Sequence, residues 1–364
     1  MKAALFSAAR YMGPAPTGWP VPADGYSTEV AERSLKTALD QFALADEVGF
    51  DWVTVAEHHF APFSLTPNPM VLAGALTQVV KRAKIALLGS DIPILNPVRV
   101  AEEFAMLDAM TGGRVVAGML RGTANEYVTY NINPAESRAR FAEALHLIKT
   151  AWTEKQPFGW QGRYYQYRTI SIWPRPVQLP HPPIYMSGSS PEAGEFAAQN
   201  RVGLGFAVTT LPQACKAAAY YREQAALAGW EPGPDDIIYR LGFHVAETDE
   251  AALADLEEGT RGQRPVGLTL SNKALEAEVA EAGYFGRDAA AQRNRLMPHG
   301  LKERIELGQI LVGSPQTVLR QVRNIRDQLG AGILDLICAV QLGARTHRSI
   351  ELFGSAVLPR MREL

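Results

Sequence analysis

Eight short apolar runs recur along this chain of 364 residues, at 2–6, 51–55, 83–89, 114–118, 184–187, 203–208, 237–246 and 333–340. Helical patterns intervene at 30–48, 69–81, 98–110, 135–152, 191–200, 212–227 and 314–329, and a last one, 347–361, closes the chain. The runs are mostly apolar rather than alternating, which is the pattern of strands covered on both faces. Strands joined through helices pair in parallel. Eight such units predict a (β/α)8 barrel, with an open doubly wound sheet as the alternative.

Two segments break the rhythm. Residues 158–183 are aromatic and proline-rich, with Tyr164, Tyr165 and Tyr167 followed by Trp173-Pro174-Arg175-Pro176. They read as a small hairpin and a rigid crossing loop. Residues 257–312 follow the seventh run and carry several glycines around a helical stretch at 273–282. An excursion of that length at a barrel mouth predicts an active-site lid within a single domain.

The chain is 47% hydrophobic and 20% charged, with a formal net charge of −2. That balance gives no general attraction to nucleic acid or to an anionic membrane. No apolar run is long enough to span a bilayer, and Arg10 interrupts the N-terminal run too early for a signal peptide. The two cysteines, Cys215 and Cys338, make neither a disulfide framework nor a metal site. A cytoplasmic protein is expected, with Cys338 a small buried residue of the last strand.

The chemistry-bearing residues fall where strands end. Ala56-Glu57-His58-His59-Phe60 follows the second run, and Ser64-Leu65-Thr66-Pro67-Asn68-Pro69 lies just beyond. An imidazole titrates near neutrality and can take or give a proton, so His58 is the catalytic candidate; His59 is assigned a structural role. Arg121 follows the fourth run beside Gly122. A guanidinium there suits either a phosphate or a rim salt bridge. After the fifth run, Gly188-Ser189-Ser190-Pro191 reads as a helix start, with Ser190 as N-cap. Such a terminus serves simple capping, an anion site, or both.

Taken in order, these pieces resemble the bacterial luciferase-like flavin monooxygenases. The shared pattern is Glu57-His58-His59-Phe60, Thr66-Pro67-Asn68-Pro69, Asn96-Pro97-Val98-Arg99, Gly112-Gly113-Arg114, Gly118-Met119-Leu120-Arg121-Gly122, Met186-Ser187-Gly188-Ser189 and Val312-Gly313-Ser314-Pro315. The resemblance covers nearly the whole chain. It implies a two-component enzyme that takes reduced FMN (FMNH2) from a separate NAD(P)H-dependent reductase. Dioxygen is activated as a flavin peroxide to oxygenate a small organic substrate. It also implies a homodimer, with Ala73, Gly74 and Ala75 on a contact helix. The phosphate is expected at Arg121, Ser189 and Ser190 with Gly188, and the ring beside Ser90 and Asp91. A non-proline cis peptide is expected between Ser90 and Asp91. Glu57 and Met119 complete the cofactor set, and His58 acts as base. Met119, Tyr185 and Phe206 are expected in the barrel interior, and Asn125, Glu126 and Tyr127 line either the pocket or a polar loop. Luciferases proper carry a reactive cysteine where this chain has Leu120, which argues against light emission. Two other readings keep the fold: deazaflavin-dependent hydride transfer, and flavin binding without turnover.

Overall fold

The computed structural model describes residues 1–14, 18–261, 277, 279–282 and 300–364. Eight parallel strands close into a barrel in the order β1 (Lys2–Phe6), β2 (Trp52–Val55), β3 (Lys84–Asp91), β4 (Val115–Leu120), β7 (Ile184–Ser187), β8 (Gly203–Phe206), β9 (Ile237–Val245) and β11 (Ile333–Cys338). Closure is direct: Lys2 pairs with Ile333, Asp335 with Arg240, and Leu204 with Ile237. The open doubly wound sheet is thereby excluded. β5 (Phe158–Gln161) and β6 (Gln166–Ile170) form a separate antiparallel hairpin. Glu143 holds it, accepting from the backbone N–H groups of Arg163, Tyr164 and Tyr165 at 3.0 Å each.

One strand escapes the sequence reading. β10 (Ile310–Gly313) lies inside the segment read as an excursion, and it pairs with the far end of β9, Ile310 opposite Gly242. Of the helix expected at 273–282, residues 277 and 279–281 are helical and 273–276 and 278 lie outside the described residues, as does most of the 257–312 segment.

Helices form where a polar cap and a proline coincide. Asn68 caps α2 (Pro69–Val79), Asn96 caps α3 (Pro97–Thr111), and Ser190 caps α6 (Pro191–Asn200). In each, the proline fills a first-turn position whose N–H has no helical acceptor. The first helix, α1 (Thr28–Val48), stops at Gly49, whose φ of 97° suits a residue without Cβ. Phe42, Phe104 and Phe353 are fully buried between sheet and helices. Each such side chain contributes about 1.5–3 kcal/mol of burial energy.

Strand alternation sorts the barrel wall into two faces. Ala4, Trp52, Ala86, Val116, Tyr185 and Ile238 pack together in the interior, while Leu5, Val53, Ile85 and Ala117 face the helices. Tyr185 is interior as expected. Met119 and Phe206 are not: both pack in the layer between sheet and helices. A strand buried on both faces carries no hydrophobic alternation to set its phase, so their orientation is not readable from sequence.

Candidate active site

The loop after β2 is fixed before any ligand enters. Glu57 donates its N–H to the Gly89 carbonyl at 2.9 Å, and His58 its N–H to the Thr66 carbonyl at 3.3 Å. The Thr66 hydroxyl in turn donates to the Ala56 carbonyl at 2.6 Å. The Trp19 indole N–H donates to the His59 carbonyl at 2.8 Å, and its ring stacks on Phe60. Gly89 of β3, Thr66 of the same loop and Trp19 of the loop after β1 thus fix the backbone that carries the two imidazoles.

Those imidazoles have different partners. His58 Nδ1 lies 3.3 Å from Glu126 Oε1, its ring packs against Phe63, and its side chain keeps 22% of its exposure. His59 is buried: Nε2 is 3.1 Å from Glu57 Oε1, and the Tyr130 hydroxyl is 3.5 Å from Nδ1. The second oxygen of Glu57 accepts from the Asp91 N–H at 3.1 Å. His59 and Glu57 therefore tie the β2 loop to the end of β3, while His58 alone reaches the mouth.

Glu126 opens α4 (Ala124–Thr129) and is fully buried. Its second oxygen accepts from the Thr123 N–H at 2.8 Å and from the Thr123 hydroxyl. Burial is the largest influence on this carboxyl and pushes its pKa up. The hydrogen bond and charge of His58, with the Thr123 donor, outweigh it and leave the carboxyl below its ordinary value.

Unsatisfied groups lie at the end of β3 and in α4. Ser90 Oγ, Asp91 Oδ2 and both side-chain polar atoms of Asn125 are buried without a hydrogen-bond partner among the described residues. Buried polar atoms are otherwise almost always paired, so such a cluster calls for a ligand. Burial, then the charges of Glu57 and Glu126, push the Asp91 carboxyl well above its ordinary range. The non-proline cis peptide lies at Leu88–Gly89, two residues before its expected place. The position takes a glycine because a Cβ on residue 89 would come within 1.9 Å of Leu120 Cγ. The β3–β4 register also shifts between Leu87 and Ser90.

The opposite end of the site is cationic. Arg121 leaves β4, and its Nη1 donates to Ser137 Oγ at 3.1 Å. Gly118 pairs with Tyr185, and Arg121 and Gly188 are the first residues after these two adjacent strands. Gly188 donates its N–H to the Gly205 carbonyl at 3.1 Å, and a Cβ there would meet Ala193 Cβ at 2.6 Å. Ser190 is buried and its hydroxyl accepts from the Ala193 N–H at 3.3 Å, while Ser189 is half-buried at the turn. Glu192 stands in the first turn of α6, so the helix end by itself is a poor anion site and the guanidinium is needed.

Below this mouth a buried ion pair crosses the barrel floor. Arg240 Nε donates to Asp335 Oδ2 at 2.6 Å, and its Nη2 donates to the Leu88 carbonyl at 2.8 Å. The Thr54 hydroxyl donates to Asp335 Oδ1 at 2.5 Å, and the guanidinium lies over the Phe6 ring. Cys338 is half-buried rather than buried, packs against the core, and has its thiol pushed up to about 12 by desolvation, which disfavours the reactive thiolate.

Of the residues anticipated from sequence, His58, Glu57, Ser90, Asp91, Arg121, Gly188, Ser189 and Ser190 follow four adjacent strands at one end of the barrel. Met119 does not join them. The partnership of Glu126 with His58 was missed, although Thr123-Ala124-Asn125-Glu126 carries the spacing of a capping box. The Arg240–Asp335 pair was missed too; its signal is a single charge in the middle of each of two apolar strands.

Known proteins share this barrel. The sequence profile of the luciferase-like monooxygenases matches residues 16–332. The chain belongs to the luciferase-like monooxygenase family. It is 26% identical to the 4-hydroxyprotoasukamycin monooxygenase of Streptomyces nodosus subsp. asukaensis, over 90% of this chain and 87% of that one. For several other curated relatives the match spans about half of their length. The fold superposes on the oxygenating constituent of 3,6-diketocamphane monooxygenase from Pseudomonas putida in complex with FMN, with a TM-score of 0.77, 22% identity and coverage of 99% of this chain and 98% of that one. An F420-dependent secondary alcohol dehydrogenase gives a TM-score of 0.72 at 18% identity, over 99% of both chains. The family thus includes flavin monooxygenases, and its fold also serves deazaflavin enzymes. Among the described residues no helix is long and apolar enough to cross a membrane, and no cluster of side chains could hold a metal.

Proposed function

We propose that the protein is the oxygenase of a two-component system, binding reduced FMN supplied by a separate reductase and oxygenating a small organic substrate with dioxygen. One observation carries this reading. Arg121 and the Ser189–Ser190 turn would supply an anion-binding end, and the unpaired atoms of Ser90 and Asp91 at the end of β3 and of Asn125 in α4 would supply a polar edge. That donor and acceptor set matches a molecule with a phosphate tail and an amide-like ring edge, and the residues present fit a flavin mononucleotide.

When bound, the reduced flavin supplies the electrons that activate dioxygen. The protein's own part is positioning and proton control. Arg121 and Ser189 would hold the phosphate, with Ser190 ordering the turn. Ser90 and Asn125 would meet the ring edge, and the closed barrel floor excludes bulk water beneath it. His58, kept in one orientation by buried Glu126, would take or return a proton at the substrate. His59 and Glu57 keep that loop in register with Asp91.

His58→Ala should leave FMN affinity within about threefold and slow oxygenation by about 10²-fold or more. Product would be followed by mass spectrometry with a flavin reductase and a panel of ketones and aromatics. Undiminished turnover would remove His58 from this role. A tight deazaflavin complex with no oxygen consumption would favour hydride transfer instead.

We also infer a homodimer through α2 and α3. Ala73 packs on its own barrel, but Val71, Ala75, Val79, Met106 and Met110 form an exposed, largely apolar face. Sedimentation as a single monomeric species at micromolar concentration would contradict it.

A further inference from the structure

Three carboxyl groups share the rim between the β2 loop, the end of β3 and the start of α4. Glu57, Asp91 and Glu126 are exposed by only 3%, 2% and 0%. Two of them have an imidazole: Glu57 faces His59 and Glu126 faces His58. Each also accepts a backbone N–H, from Asp91 and Thr123 respectively. Among the described residues Asp91 has neither. Its Oδ2 has no partner there, and the carboxyl packs beside Gly122, where an added Cβ would lie 3.1 Å from Cγ and 3.3 Å from Oδ2.

We propose that Asp91 is a neutral carboxylic acid in the working protein and donates a hydrogen bond from its unpartnered oxygen into the mouth, to a carbonyl or ring-nitrogen acceptor of the flavin. The acceptor rests on the cofactor reading above; the proton on Asp91 does not. Three anions cannot share so small a volume out of water, and the one without a basic partner is the one that keeps its proton. The surroundings agree. Burial acts first, and the charges acting on Asp91 are both negative, Glu57 from the β2 loop and Glu126 from α4. His58 and His59 are engaged with the two glutamates, and Arg121 on the adjoining strand reaches Ser137. A donor preset there meets negative charge arising on a reduced ring without waiting for water to reorient.

The test begins with infrared difference spectroscopy on the full-length protein near pH 7, comparing wild type with Asp91→Asn. A protonated-carboxyl band that shifts in D2O should be present in the wild type and missing in the variant. Loss of carboxylate bands alone would overturn the proposal. Should the variant fail to fold, wild type carrying 13C-labelled aspartate answers the same question: the carboxylic-acid band must shift with the label. The second arm is titration with dithionite-reduced FMN. Asp91→Asn, which keeps an N–H donor, should bind within about threefold of wild type, and Asp91→Ala about tenfold more weakly. Equal affinity of all three would overturn the donor role. Failure of the wild type to bind FMN would overturn the acceptor and the flavin reading, and the infrared result would show separately whether the neutral acid stands.

Discussion

Replacing Asp335 by alanine tests the floor that supports the site. Asp335 has no exposed side-chain surface and Arg240 retains 16%. The substitution leaves a guanidinium inside the barrel with its 2.6 Å partner gone and the Leu88 carbonyl as its one remaining hydrogen-bond acceptor. Breaking one half of a buried ion pair destabilises by about 3–5 kcal/mol. The Thr54 hydroxyl also loses its 2.5 Å acceptor, for about 1 kcal/mol more. The sum, about 4–6 kcal/mol, is a large share of the roughly 5–15 kcal/mol that holds a folded protein together. Urea unfolding should show a much lower midpoint with an unchanged slope. The double variant Arg240→Met with Asp335→Leu removes both charges and should recover more than half of the loss, because no uncompensated charge remains. A single-variant loss below about 1 kcal/mol, or a double variant no better than the single, would refute the reasoning.

Other consequences are as direct. Gly118→Ala places a Cβ 2.1 Å from the Leu87 carbonyl oxygen, which is backbone and cannot step aside, so we expect a loss of at least about 1–3 kcal/mol in the same unfolding assay. The pH dependence of stability separates two aspartates. Asp46 accepts three backbone N–H groups, from Lys81, Arg82 and Ala83; together they outweigh its burial and leave its carboxyl below the ordinary value. Its contribution is present above the unfolded-state value and disappears as pH falls through the lowered folded one, a loss that Asp46→Asn should abolish. Asp91, raised by burial and by its carboxylate neighbours, acts in the opposite sense: stability falls as pH rises from the unfolded aspartate value toward the raised folded one, and Asp91→Asn should flatten that fall.

Much of this architecture is legible in the chain because parallel strands announce themselves as continuous apolar runs. The same continuity hides their phase, which is why Met119 and Phe206 turned out to face the helices. β10 is a four-residue strand at the end of the glycine-bearing stretch read as one excursion, and its pairing is only with the far end of β9. At the site, residues of unusual type at strand ends were readable: two adjacent histidines, an arginine between Leu120 and a glycine, a serine-rich turn before a proline. Partnerships were not. Whether His58 meets Glu57 or Glu126 depends on how α4 folds back over the mouth, and sequence distance says nothing of it. The cis bond lies at Leu88–Gly89 rather than Ser90–Asp91, and the closeness of Leu120 that requires a glycine at 89 is a contact between two strands that sequence distance hides. Arg240 and Asp335 are 95 residues apart and meet only because the barrel closes.

The most direct measurement is equilibrium titration of the purified protein with FMN, both oxidised and dithionite-reduced, followed by fluorescence and absorbance. The account predicts saturable binding near one flavin per chain, weakened about tenfold or more by Arg121→Ala through loss of a charge-assisted contact to the phosphate. Absence of saturable binding in both redox states would contradict it.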